Sequence, residues 1–247
     1  MIRLMAVAVI LGGFLVFSYP VLLKEKKAAL KDPVRQQVHT QGIVKGILSL
    51  LFKITGSTLT VKGQERIPDQ AVLYVGNHQS YFDILAGYMT VPGLTGFVAK
   101  KEMSSWPLVS RWMELINCLF LDRKDIKEGL KTILQGIEKV KNGVSIWIFP
   151  EGTRNENEDS LELMPFHEGS LKIAEKSGCP VVPVAITGTP EIFEKHFPWI
   201  RPAQVTIEYG EPFYIKELPA EYRKRPGAYA RERIIEMLKK EQELRRN

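Results

Sequence analysis

Cysteine and histidine are scarce in this chain, with 2 and 4 among 247 residues. Cys118 and Cys179 both sit in apolar runs, which suits buried free thiols and leaves no disulfide framework. No Cys-x-x-Cys pair and no His-Glu-x-x-His occurs, so no zinc-type ligand set is expected and the metal expectation is none. The Gly-x-Ser-x-Gly elbow that presents a nucleophilic serine is missing as well. There is no internal repeat and no low-complexity tract. Negative charge is in deficit: 34 Lys and Arg face 28 Asp and Glu, a net charge of +6. That balance suits an anionic partner, either nucleic acid or anionic lipid. What is present is ordinary for a folded protein. Hydrophobic residues make up 45% and charged residues 25%, which excludes global disorder, and the length allows one sizeable core with additions.

The N-terminus favours lipid. Leu4 to Leu23 carries no charged side chain, and as one helix this run would reach ~30 Å, enough to cross a hydrocarbon core. Gly12, Gly13 and Pro20 weaken it. Lys24, Lys26, Lys27, Lys31 and Arg35 follow, which places the C-terminal side on the cytoplasmic face. A second apolar stretch from Ile43 to Ile54 holds Lys45 and Lys53. It reads as an interfacial helix with snorkelling lysines; the competing reading packs it on the domain's own core. Residues 1–56 are thus expected to form a membrane-anchoring helical pair, and 57–247 the globular domain.

In that domain, short apolar runs recur at Leu59–Val61, Ala71–Val75, Gly96–Ala99, Cys118–Leu121, Val144–Phe149, Val181–Ile186 and Val205–Tyr209. They read as strands. Between them lie helical patterns, clearest in Ile126, Leu130, Ile133, Leu134, Ile137 and Val140, ending near Asn142-Gly143. Another contains Leu171, Ile173 and Ala174, and the tail from Glu221 is helical with Ile234, Ile235 and Leu238 as its apolar side. Alternating strands and helices predict an α/β fold with a mainly parallel central sheet covered by helices on both faces.

Candidate chemistry gathers at strand ends, where α/β sheets hold ligands. Asn77-His78-Gln79-Ser80-Tyr81-Phe82-Asp83 follows one apolar run. A carboxylate five residues after a histidine can hold one ring nitrogen while the other acts as a base. Phe149-Pro150-Glu151-Gly152-Thr153-Arg154 ends another run. There Gly152 frees the backbone, Arg154 offers a phosphate fork and Glu151 an acceptor for a hydroxyl or an ion pair. Lys100 and Arg123 end two further runs, so a cationic rim around His78 is expected, and its natural guest is a phosphate monoester. Singly, each of these signals reads first as a turn or a solvated charge.

Together, Asn77-His78-x-x-x-x-Asp83, Phe97-Val98-Ala99-Lys100, Phe149-Pro150-Glu151-Gly152-Thr153-Arg154 and Val182-Pro183-Val184-Ala185-Ile186 resemble the glycerolipid acyltransferases. The order and spacing are most similar to the bacterial PlsC type, the 1-acyl-sn-glycerol-3-phosphate acyltransferases, over about residues 57 to 215. The resemblance implies transfer of a fatty acyl group from a carrier thioester, acyl carrier protein or coenzyme A, to the hydroxyl of lysophosphatidic acid, giving phosphatidic acid, with no cofactor. His78 and Asp83 would be the catalytic pair. Glu151, Gly152, Thr153 and Arg154 would bind the glycerol phosphate, with Lys100 and Arg123 assisting. One departure is His167 in Pro165-Phe166-His167-Glu168-Gly169, where the family more often has lysine; a surface turn is the competing reading.

A thioester is already activated, so no enzyme nucleophile is needed. His78 would take the acceptor's proton, and backbone amides at the start of the helix after His78 would be the expected donors to the oxyanion. Other readings are an acyltransferase for another glycerolipid, a lipid hydrolase using the same pair, and a non-catalytic membrane-binding module. Nucleic acid is not expected, because the strands lack aromatic residues interleaved with basic ones.

Overall fold

The computed structural model describes residues 1–157 and 159–246. Seven strands form one sheet: β1 (Thr58–Lys62), β2 (Leu73–Gly76), β3 (Thr95–Lys100), β4 (Leu119–Leu121), β5 (Ser145–Ile148), β6 (Val181–Thr187) and β7 (Gln204–Tyr209). Each expected apolar run supplies one of them. The order across the sheet is β1-β7-β6-β2-β5-β3-β4. All pairings are parallel except β6 with β7. The C-terminal ends of β6, β2, β5, β3 and β4 therefore line up on one edge.

Side chains alternate across the sheet, and each face builds its own core. Leu73, Val75, Ile146, Ile148 and Val181 pack under helices α6 (Ile126–Lys141), α7 (Lys172–Ser177) and α9 (Pro226–Arg246) through Val140, Ile173, Ile234 and Leu238. A short helix α8 (Ala220–Arg223) precedes α9. Tyr74, Trp147, Val182, Val184 and Ile207 face the other way, against α4 (Phe82–Thr90), α5 (Val109–Leu115) and the N-terminal helices. Trp147 is fully buried, stacked between Phe97 and Tyr74 with centroids 5.2 Å away on each side. Burying a ring of that size contributes about 4–6 kcal/mol at roughly 25 cal/mol/Å2. That outweighs the ~1–3 kcal/mol cost of its unpartnered indole N–H. Gly87 makes the fit possible, since a Cβ there would lie 2.9 Å from the indole.

Helix α6 differs from its sequence pattern in detail. Asp125 caps it by accepting from the Lys127 and Glu128 amides, and Thr132, Gly136, Ile137 and Val140 are buried. Ile126, Leu130 and Leu134 remain exposed.

The N-terminal region needs two corrections. The apolar run Leu4–Leu23 is not one helix but two, α1 (Ile2–Phe17) and α2 (Tyr19–Ala29), bent by 52°. Pro20 has no N–H to give to the turn before it, and its ring crowds the preceding carbonyl. No single helix among the described residues is long and apolar enough to cross a membrane. The second stretch belongs to a longer helix, α3 (Pro33–Thr55), which packs on the domain. Val44 and Phe52 enter the core, Gln41 exchanges hydrogen bonds with Gly93 and Thr95, and Lys45 donates to the Val91 carbonyl at the end of α4. That lysine thus caps a helix rather than snorkelling. By contrast, α1 buries no residue fully, and Ile2, Met5, Val9, Val16 and Phe17 are exposed.

Candidate active site

The turn from β2 into α4 is built around one buried carboxylate. Asp83 Oδ2 accepts from His78 Nδ1 at 2.9 Å and from the amides of Gln79 and Ser80, both at 2.7 Å. Its other oxygen accepts the Thr189 hydroxyl at 2.5 Å. The four residues between histidine and aspartate are the length of one tight turn, so the carboxylate folds back over the amides that lead to it. The His78 ring lies flat on Phe149, 4.1 Å between centroids, and its side chain is 15% exposed. With the Nδ1 proton directed at Asp83, Nε2 carries the lone pair.

The neighbouring strand end locks this turn in place. Glu151 is buried, and its oxygens accept the amides of His78 and Met164, each at 2.9 Å. The carboxylate expected to receive a hydroxyl therefore engages main-chain N–H groups with both oxygens. Burial pushes its carboxyl above the ordinary range, with the two amides opposing. Asn77 bridges β2 to β6 by accepting from the Ile186 amide and donating to its carbonyl. Gly152 takes φ +79°, and a Cβ there would meet Arg123 Nη1 and the His167 ring at 3.2 Å. Both the positive φ and this contact call for glycine.

The expected cationic rim is divided. Lys100 is exposed at the end of β3, and Arg123 follows β4, its guanidinium against Gly152 beside His167. Arg154 instead stacks on Tyr81, 3.9 Å from the ring centroid, and pairs with Glu194 at 3.5 Å, on the side of β6. Thr153 is exposed between them. Lys101 is tied to Asp122 at 2.7 Å. Beside Tyr81 and Arg154 opens a groove of about 1650 Å3, which also borders Gln79, Phe193 and Phe197.

The amides at the start of α4 are not available to an oxyanion. Those of Gln79 and Ser80 go to Asp83, that of Tyr81 to Glu194, that of Phe82 to Ser80 Oγ, and that of Asp83 to the Ser80 carbonyl. The dense bonding that fixes the carboxylate consumes the donors.

An acyltransferase family model matches residues 58–187, more than half of the chain, and the match takes in His78, Asp83, Lys100, Arg123, Glu151, Gly152, Arg154 and His167. The chain belongs to the acyltransferase family. It is similar to a 1-acyl-sn-glycerol-3-phosphate acyltransferase of Cocos nucifera, 34% identical over 72% of this chain and 56% of the relative. A Saccharomyces cerevisiae protein of the same description is 35% identical over 54% of this chain and 44% of its own length. The chain thus spans about half the length of these two relatives. The crystal structure of PlsC, the lysophosphatidic acid acyltransferase of Thermotoga maritima, superposes with a TM-score of 0.79 at 28% identity, covering 96% of this chain and 95% of that one.

Two residues of the acyltransferase site escape a sequence reading. Thr189 follows the Val182–Ile186 block and is 106 residues from Asp83. Glu194 receives the Ser80 hydroxyl at 2.8 Å and the Tyr81 amide at 2.9 Å. It carries no local motif, and only the adjacency of β6 to β2 brings it there.

Proposed function

We propose that this chain moves a fatty acyl group from a carrier thioester, acyl carrier protein or coenzyme A, to the free sn-2 hydroxyl of lysophosphatidic acid, giving phosphatidic acid, at the cytoplasmic face of a membrane. The observation that carries this reading is the 2.9 Å contact of His78 Nδ1 with a carboxylate held by three further donors. Such a carboxylate orients the ring and stabilises imidazolium once it forms.

In the proposed step the acceptor oxygen attacks the thioester carbonyl carbon while its proton passes to His78 Nε2. The tetrahedral adduct collapses, the C–S bond breaks, and the same proton goes to the leaving sulfur. No acyl-enzyme forms. Lys100 and Arg123 receive the acceptor's phosphate, with Arg154 contributing from the β6 side. Gly152 and Thr153 form the wall between them, and Glu151 holds the two strand ends in register. The exposed apolar side of α1, followed by the lysines of α2, suits a helix lying in a bilayer interface.

The test is purified protein in mixed micelles, given lysophosphatidic acid with acyl carrier protein or coenzyme A thioesters in turn. Phosphatidic acid should form, and His78→Ala should abolish it with the fold intact. Free fatty acid released without an acceptor, or normal turnover by His78→Ala, would contradict the reading.

A further inference from the structure

His167 lies outside the residues to which a role has been given so far, yet it faces the same strand edge. Its amide donates to the Pro150 carbonyl at 3.0 Å, which ties it to the turn that carries Gly152. Its side chain is exposed, and the ring has no hydrogen bond among the described residues. The ring and the Arg123 guanidinium each lie 3.2 Å from the position of a Cβ on Gly152. They cannot be further apart than the sum of those distances. A phosphate bridges such a gap, because each charge-assisted bond spans about 2.7–2.9 Å. Lys100 ends β3, which lies between β5 and β4 in the sheet, on the same strand edge.

We propose that His167, together with Arg123, is a ligand for the phosphate monoester of the acceptor. This rests on the lysophosphatidic acid reading above. The charged groups around the ring leave this role open. Glu151 spends its oxygens on the amides of His78 and Met164. Glu168 accepts the Gly227 and Ala228 amides at the start of α9, and Arg231 of α9 donates to the Leu163 and Met164 carbonyls. Neither acid is free to pair with the imidazole, and Arg123 beside it is a cation on which Glu102, after β3, acts electrostatically without forming an ion pair. An anion is the partner that satisfies both. Arg154, stacked on Tyr81 and paired with Glu194, is left to approach the phosphate from the β6 side, opposite Arg123 and His167.

A KM-against-kcat split with rescue by a cationic side chain separates a ligand from a bystander. KM and kcat for lysophosphatidic acid are measured at pH 6.5 for wild type, His167→Ala and His167→Lys. His167→Ala should raise KM about tenfold, with a smaller change in kcat. His167→Lys should restore a low KM. An unaltered KM in His167→Ala, or a KM in His167→Lys as high as that of His167→Ala, overturns the proposal. If wild type does not acylate lysophosphatidic acid, the activity reading fails by itself. Calorimetric binding of sn-glycerol 3-phosphate at pH 6.5 then decides: tighter binding to wild type than to His167→Ala supports His167 as a ligand, and equal binding overturns it.

Discussion

Thr189 donates its hydroxyl to Asp83 at 2.5 Å across 106 residues of chain. It occupies the one carboxylate oxygen that the turn from His78 to Asp83 leaves open. Thr189→Val keeps the shape and removes the donor. An unsatisfied buried acceptor costs about 1–3 kcal/mol, so the melting temperature should fall and kcat drop by about an order of magnitude as Asp83 loses its orientation. Thr189→Ser should recover both. Steady-state kinetics and thermal unfolding of the two variants check this.

Glu151 makes stability depend on pH. Its folded-state pKa is raised by burial, so its contribution is present in full below the unfolded value, about 4.3, and is lost as pH rises through the folded one. The melting temperature of wild type relative to Glu151→Gln should therefore decline as pH is raised from about 4 through the carboxylate range. A difference independent of pH would show that the buried carboxyl does not titrate in that way.

Glu194 couples Arg154 to the turn of Ser80 and Tyr81. Arg154→Ala should chiefly raise KM for lysophosphatidic acid, as loss of ground-state binding does. Glu194→Ala should raise KM and lower kcat together, because it frees Arg154 and loosens the turn that leads to Asp83. The double variant should fall short of additivity by about 0.5–3 kcal/mol, the range for residues in contact. Strict additivity in the mutant cycle would separate the two.

The exposed side of α1 is the expected lipid contact. Val9 and Phe17 are 70% and 84% exposed, so Val9→Asp with Phe17→Asp should leave the fold intact. Co-sedimentation with anionic vesicles should fall several-fold, since each buried apolar group and each repelled charge weakens an interfacial helix. Undiminished binding would move the membrane contact elsewhere.

Every strand was legible in the sequence because each is a short apolar run, most of them rich in β-branched or aromatic residues and closed by Gly, Pro or charge, and the central ones β2 and β5 bury on both faces of the sheet. His78 and Asp83 were legible as a pair because their contact is local: one turn of backbone brings the ring to the carboxylate. The same holds for Gly152, whose φ +79° matches the need for glycine. Composition and pattern could not say where the apolar N-terminus would break. The uncharged run is long enough for a span but holds three weak points, Gly12, Gly13 and Pro20, and the structure places the bend beside Pro20 alone.

What only the tertiary structure decided is how distant groups share the strand edge. The order β6-β2-β5-β3-β4 delivers Thr189 to Asp83, Glu194 to Ser80 and Arg154, and His167 with Arg123 to Gly152. It also turned Glu151 from a free acceptor into a brace between β2 and β5, and it consumed the amides after His78 in holding Asp83. Local spacing determines which side chains a single turn can bring together. Which strand lies beside which is set by the packing of two cores against one sheet, and no motif within a run of residues records that.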